Sequence, residues 1–347
     1  MSNLRTINPI LDQRWADFLT RSAQASVFHT PQWLTALSRT YGYEPVAYTL
    51  SLPETDLDSA LVFCRIHSRL TGRRLVSLPF SDHCDPLVSG PEDLASILHG
   101  LQRIQVDEKL KNIEIRPLES PAIEWGNFAA AESFYLHKID LRPSLDQLFR
   151  NMHKDSIQRK IRRAEREGLV CEEGRSEALL DKFYQLMLLT RRRHELPPAP
   201  RDWFRNLVDC MGEKLTIRVV CKNERAIAAV LILVHKKKVV YKYGCSDAEF
   251  HNLGGMPFLF WKTIEEAKKT GAEELDLGRS DTDNAGLAQF KERLGGFRST
   301  LTYVKFPASR APSSRAGWKM QIAKLVVSHL PDRCLVLAGR LLYPHMG

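Results

Sequence analysis

The chain has 347 residues, 44% hydrophobic and 26% charged, with a formal net charge of +9. That length gives room for a large core and two domains, and the composition excludes a disordered or fibrous chain. The longest unbroken apolar run, residues 226–234, is about half of the ~18 that a membrane-spanning helix takes, so it reads as a buried strand.

The first helix is expected over 11–23. Thr30 is a good N-cap with Pro31 at the first helical position, and Trp33, Leu34 and Leu37 give one apolar face. Strands are expected at 44–50, 59–67 and 74–78. The loop PFSDHCDPLVSG follows, then a helix opening near Pro91, with Glu92 and Asp93 in its first turn and Leu94, Ile97, Leu98 and Leu101 on one side. Residues 112–116 form the next strand. The spacing of Leu145, Leu148, Phe149, Met152, Ile157 and Ile161 predicts one long basic helix over 145–168, closed by Gly168. A second helix over 176–193 stops at Leu-Pro-Pro-Ala-Pro, a third opens at Arg201, and strands recur at 215–221, 226–234 and 239–243.

One order occurs twice: a strand, Ser-Asp, a loop, a helix and another strand. Ser81 and Ser246 are 165 residues apart (246 − 81), and Ile115 and Leu277 are 162 apart (277 − 115). This predicts two copies of one α/β unit, with the boundary between 133 and 143. The expected division is 1–135, 136–306 and a terminal stretch 307–347. In that stretch PASRAPSSRAG is a linker by composition. Trp318, Ile322, Leu325, Val326 and Leu330 form a helical stripe that either lies in a membrane interface or packs on the body. Residues 298–347 hold eight Lys/Arg and one acid, Asp332, a local balance of +7 (8 − 1). A basic tail of this kind suits an anionic partner such as a membrane surface. The first residues carry no apolar h-region, and the seven cysteines make no C-x-x-C pair. Both point to a cytoplasmic protein with reduced thiols.

Several constellations are candidates for chemistry. Arg159 and Arg163, beside Lys160 and Arg162, either grip phosphate with their planar forks or form a solvated face paired with Asp155, Glu165 and Glu167. Arg193 and His194 close a helix, where cations complement the dipole, and the stiff Pro-Pro-Ala-Pro beyond fixes where His194 points. His194 is thus a candidate base or substrate contact. Asp82, His83, Cys84 and Asp85 are adjacent and cannot converge on one ion, so no metal is expected, and Ser81 and Asp82 read as a substrate-facing strand-end loop. Gly254 and Gly255 precede a helix whose first N–H groups can bind phosphate, although a Gly-Gly pair also serves an ordinary turn. G-x-x-x-x-G-K-S/T, G-x-G-x-x-G and G-x-S-x-G are missing, which argues against nucleotide hydrolysis, a Rossmann cofactor and an esterase elbow. Tyr241 and Tyr243, two apart, should face one side of a strand. The loop 278–284 brings Arg279, Asp281 and Asp283, and Lys291 follows within Phe290-Lys291-Glu292-Arg293.

The pieces FHTPQWLTAL, SLPFSDHCDP, KDSIQRKIRRAEREGL, TRRRHELPPAP, YKYGCSD, GAEELDLGRSD and FKERLGGF, in this order over 28–297, resemble the Fem-type acyl- and aminoacyltransferases of the GNAT fold. The closest look is to Fem-like proteins linked to exopolysaccharide and protein-sorting systems. The resemblance implies an α/β (α+β) fold of two tandem GNAT-like acyltransferase domains, with mixed sheets flanked by helices, plus the basic tail. It implies a catalytic second domain, a catalytic part for Lys291, and a cleft lined by Tyr241 and Tyr243. The long coiled-coil arm of the peptidoglycan bridge enzymes is missing, and HNLGGM departs from the Q/R-x-x-G-x-G/A loop of acetyl-CoA enzymes. The acyl donor, a co-substrate and not a tightly bound cofactor, stays open between acyl-CoA and aminoacyl-tRNA, with tRNA not favoured.

The expected reaction moves an acyl or aminoacyl group to an amine of an anionic cell-envelope or polysaccharide precursor, for example a nucleotide-sugar. N–H groups near Tyr243 and Gly244 would stabilise the oxyanion, and Lys291 would meet charge on the leaving group. Asp281 or Asp283 would orient or deprotonate the amine, and Arg159, Arg163 and Arg279 would hold the acceptor. The tail would keep the protein peripheral at the inner membrane. Two other expectations compete: a CoA-dependent GNAT N-acetyltransferase acting on a small amine, and a non-catalytic basic module that binds anionic membrane or RNA.

Overall fold

Punctuation residues act as their chemistry requires. The Thr30 side chain accepts from Trp33 N, Pro31 opens α2 (Pro31–Tyr41), and Gly42 ends it at φ 68°, where a side chain would be strained. The computed structural model describes residues 4–118, 125–308 and 331–347. Within these the chain forms two units: 4–118 with 125–134, 300–308 and 340–347, and 135–299 with 331–339.

In the first unit, β1 (Arg5–Ile7), β2 (Glu44–Thr49), β3 (Ala60–Ser68), β4 (Gly72–Ser77), β5 (Asn112–Ile115) and the end of a later strand, Phe297–Phe306, lie in that order. β1 to β4 are antiparallel, and β4 and β5 are parallel. The helix between them, α3 (Pro91–Asp107), buries Leu94, Ile97, Leu98 and Leu101 against Leu75, Ile113 and Ile115. α1 (Arg14–Arg21) is shorter than expected at both ends.

The chain changes unit inside β6 (Ala129–Asp140), so no linker separates the units there. Residues 300–308 return to the first unit, unlike the expected 136–306 division, because the strand Phe297–Phe306 pairs with β5 through Val304↔Ile115, Lys305↔Glu114 and Phe306↔Ile113. The expected long helix is also broken. α4 (Leu145–Asn151) ends at Met152, which is extended. His153 N donates to Arg293 O at 2.8 Å. The His153 ring then caps a wide π-type turn, Lys154–Gln158, by accepting from Ser156 N, and α5 (Arg159–Arg166) follows. The apolar spacing continues across the break, which is why the sequence reads as one helix.

The second unit orders its strands as the end of β6, then β11 (Glu274–Asp281), β10 (Lys238–Ser246), β9 (Arg225–His235), β8 (Leu215–Lys222) and β7 (Val170–Gly174). β8, β9 and β10 are antiparallel, and β10 and β11 are parallel across α8 (Gly255–Lys269). This is the plan of β2 to β5. The two parallel ladders begin at Arg74↔Asn112 and Lys238↔Glu274, offsets of 164 (238 − 74) and 162 (274 − 112), so the repeat read from the sequence is a repeat of topology. α8, α5 and the π-type turn before α5 cover one face of this sheet through Ile157, Ile161, Ala164, Leu259 and Ile264. α6 (Glu177–Arg193) and α7 (Arg201–Met211) cover the other with Leu180, Phe183, Met187, Phe204 and Leu207.

The stripe Trp318 to Leu330 and the linker before it lie outside the described residues. The apolar stretch after them forms α10 (Asp332–Leu342). Within the second unit Leu335 is fully buried and Gly339 meets the Pro198 carbonyl. Within the first unit Tyr43 Oη donates to the carbonyls of Tyr343 and Pro344. Among the described residues no helix is long and apolar enough to cross a membrane.

Candidate active site

β10 and β11 begin as partners and then separate. Their ladder joins 238–240 to 274–276 and stops, while β10 runs on to Ser246 and β11 to Asp281. β10 stays paired with β9 as far as Ser246↔Ala228, so the opening is on its β11 side. Past the last pair, the carbonyls of Gly278 and Arg279 accept from Lys291 Nζ at 2.7 and 3.0 Å. Lys291 sits on α9 (Ala285–Arg293) and is 2% exposed. The buried ammonium therefore holds backbone of β11 where strand pairing has ended. Beside it His137 is fully buried, 3.8 Å from Glu292. Burial, and then Lys291, hold the His137 imidazole below its ordinary value, against the pull of Glu292.

The expected shared face of Tyr241 and Tyr243 is corrected by a bulge. Tyr241 is opposite Ile232 but Tyr243 is opposite Leu231, so one extra residue of β10 turns the two rings to opposite faces. Tyr241 packs on Phe260 of α8, centroids 4.8 Å apart. Tyr243 meets Phe204 of α7 at 5.1 Å, and its Oη accepts from Trp203 Nε1 at 2.9 Å.

A cavity of about 500 Å³ opens at the end of β10 against the first turn of α8. Gly254 sits at φ 81°, and a Cβ there would come 2.5 Å from the Lys160 carbonyl, so only glycine lets α5 approach the helix start this closely. Gly255, Met256 and Pro257 bring that start to the cavity wall, with Ser246, His251, Lys160, Arg193 and Arg293 around it. Among the described residues the lining contains three cations and no Asp or Glu. With the positive end of the α8 dipole it makes an anion-accepting site. Arg193 Nη1 donates to Ser246 O at 3.1 Å and lies 3.5 Å from His251 Nε2. Ser246 Oγ is 2.9 Å from the same nitrogen. Burial, then Arg193 and Lys160, push the His251 imidazole below its ordinary value, while Asp247 pulls the other way.

Of the residues singled out in the sequence, Arg193, Gly255 and the neighbours of Gly254 meet at this cavity, and Lys291 and Arg279 meet in the strand opening. Asp281 and Asp283 are exposed and are not part of the cavity lining. Arg159 pairs with Asp155 at 3.1 Å and Arg163 with Glu167 at 3.7 Å, the solvated-face arrangement. His194 caps α6, exposed, and its imidazole is held below its ordinary value by burial of part of the ring and by Arg193 and Arg191. Ser81 and Asp82 are interior residues of the first unit. Ser81 Oγ donates to Leu78 O at 2.8 Å, and Asp82 O accepts from Tyr303 Oη at 2.6 Å. A substrate-facing role for that loop does not fit this packing. Lys160, read from the sequence as one of a basic group that could grip phosphate, is the member of that group that lines the cavity, and Ser246, His251 and Arg293, which sequence reasoning had not assigned, complete the site. The signal was there for His251, which lies five residues past the strand's last serine and three before Gly254.

Residues 151–292 match the acetyltransferase (GNAT) domain family. Among solved structures, FemX is 13% identical and aligns over 86% of this chain and 96% of its own, with a TM-score of 0.65. The C-terminal domain of a lysylphosphatidylglycerol synthetase from Agrobacterium fabrum is 14% identical over 92% of this chain and 96% of its own, TM-score 0.55. A tandem GNAT protein from the clavulanic acid biosynthesis pathway is 11% identical over 89% and 100%, TM-score 0.55. No curated protein matches the chain. At these identities the structural likeness is one of fold. Residues 151–292 are thus a GNAT acyltransferase domain, and the two-unit chain around them has the fold of the Fem-type transferases.

Proposed function

We propose that this acyltransferase moves an acyl or aminoacyl group onto an amine of a phosphate-bearing cell-envelope or polysaccharide precursor, and that the α8 cavity holds the phosphate of one of the two substrates. The observation that carries the reading is the cavity lining: Lys160, Arg193 and Arg293 at a helix N-terminus, with no carboxylate among the described lining residues. A structural neighbour named as a lysylphosphatidylglycerol synthetase supports an anionic, envelope-type acceptor. The acyl donor is an acyl-CoA or an aminoacyl-tRNA. A CoA-dependent N-acetyltransferase acting on a small amine is the second reading, favoured by the acetyltransferase domain match. The excess of basic residues in 298–347 supports peripheral attachment to an anionic membrane.

Calorimetry with CoA, acetyl-CoA, aminoacyl-tRNA and a nucleotide-sugar tests the site. At least one of these ligands should bind, and Lys160→Gln should weaken it by roughly tenfold, about 1.4 kcal/mol. Binding that survives Lys160→Gln and Arg293→Gln unchanged would reject the cavity as the phosphate site. Acetyl-CoA turnover with small amines and none with envelope precursors would favour the second reading.

A further inference from the structure

Ser246 is the last residue of β10, and its backbone is fixed on both sides. Its N–H donates to Thr190 Oγ1 at 2.9 Å, and its carbonyl accepts from Thr190 Oγ1 at 3.2 Å and Arg193 Nη1 at 3.1 Å. That leaves the hydroxyl aimed at His251, 2.9 Å from Nε2, and both side chains line the cavity. Arg193 carries only donors, and it too faces Nε2. A guanidinium beside Nε2 favours that nitrogen as an acceptor, with the ring proton on Nδ1, and this is the tautomer that a relay through Ser246 Oγ requires. The charged groups around this ring are Arg193 of α6, Lys160 of α5, Arg293 of α9, and Asp247 on its own segment, which is itself paired with Arg225 at 2.9 Å.

We propose that Ser246 and His251 form a proton relay that deprotonates the acceptor amine, an assignment that rests on the transferase reading above. The acceptor ammonium gives one proton to Ser246 Oγ as the hydroxyl proton passes to His251 Nε2. The freed nitrogen lone pair attacks the carbonyl carbon of an acyl thioester or ester. The C–N bond forms and the C–S or C–O bond breaks, and the sulfur or oxygen leaves with the bonding pair and takes the second amine proton. His251, now an imidazolium, returns its proton to solvent. The cations that, after burial, lower the proton affinity of His251 also lower that of an amine bound beside it, so base and substrate are shifted together.

The first test needs no substrate. Nitrogen-resolved NMR of the full chain should show His251 as the Nδ1–H tautomer, titrating below the usual 6.5, and Arg193→Gln should raise that midpoint. An Nε2–H tautomer, or a midpoint at or above 6.5, would overturn the relay. With a working donor and amine, His251→Gln should lower kcat by roughly 10²- to 10³-fold and remove the acid limb of the pH profile. Ser246→Ala should lower kcat to a similar extent, and free imidazole should restore part of the rate to His251→Ala. A His251→Gln chain with the wild-type kcat and acid limb would reject the proposal. Failure of every donor to transfer would reject the transferase reading and with it the amine as substrate of the relay, whereas the wrong tautomer by NMR would reject the relay with the transferase reading intact.

Discussion

Lys291 Nζ donates to the carbonyl of Gly278 at 2.7 Å, from a side chain that is 2% exposed. The same ammonium reaches Arg279 O at 3.0 Å. It supplies donors to β11 at the point where β10 has moved away, so it keeps the strand opening in shape. Lys291→Met would leave both carbonyls without this donor, at about 1–3 kcal/mol for each buried polar group left unpaired. The expected outcome is a loss of about 2–6 kcal/mol in urea unfolding together with loss of transfer. An unchanged unfolding midpoint would show that the lysine serves chemistry alone.

Gly244 and Tyr241 make a second fitted pair. A Cβ on Gly244 would run into Tyr241 Oη and come 2.8 Å from the ring carbon that bears it. The ring cannot swing away cheaply, because it packs on Phe260 at 4.8 Å. Gly244→Ala should therefore cost about 1–3 kcal/mol, the usual range for overpacking. Adding Tyr241→Phe removes the hydroxyl but not the ring carbon, so it should recover only part of the loss. Full additivity in this double-mutant cycle would show that the two positions do not touch.

The elements that were legible in the sequence are those fixed by local chemistry. Thr30 and Pro31 mark the start of α2 through capping, and the pair Gly254 and Gly255 marks the start of α8. The repeat was legible because strand order and spacing survive when residue identity does not. What the sequence concealed comes from long-range pairing. The rule of two that put Tyr241 and Tyr243 together fails at a bulge, which is visible only against β9. The break at Met152 depends on Arg293 O taking the His153 N–H, a partner distant in sequence. Resemblance singles out Lys291 from the sequence, but its burial and its bonds to the carbonyls of Gly278 and Arg279 were not legible there. His251 became a candidate only once Ser246 and Arg193 were placed beside it.

In the first unit the repeat carries a different filling. Glu114 accepts from Arg116 Nε at 2.7 Å and faces Lys305 Nζ at 2.9 Å, with its carboxylate buried. Burial alone would raise its pKa, but Arg116 and Lys305 together bring it down from the ordinary 4.5 to about 2. A carboxylate with a depressed folded pKa stabilises the fold above the unfolded value, and that contribution is lost as the pH falls through the folded one. The window is thus 4.5 down to about 2, with roughly 3 kcal/mol at stake. Urea unfolding of the full chain across this range should show the slope for the first unit. Glu114→Gln should flatten it and destabilise the unit at neutral pH, since Arg116 stays buried and loses its counter-charge. A slope that survives Glu114→Gln would assign it to other carboxylates.

The last residues of the chain are a clamp on the first unit. Tyr343 stacks on Phe80 at 5.6 Å, and Tyr43 Oη donates to Tyr343 O and Pro344 O. Arg74 Nη2 donates to His345 O at 2.7 Å, and Ser68 Oγ lies 2.9 Å from His345 Nδ1. Burial holds the Tyr43 phenol above its ordinary value of 10, with Arg74 pulling the other way. A chain ending at Gly339 should therefore lose about 2–4 kcal/mol of stability, from the buried aromatic surface and the unpaired donors. Ultraviolet titration should show the Tyr43 phenol ionising at a lower pH, because it becomes open to water while Arg74 stays beside it. Unchanged stability and an unmoved phenol titration would mean that residues 340–347 only rest on the surface.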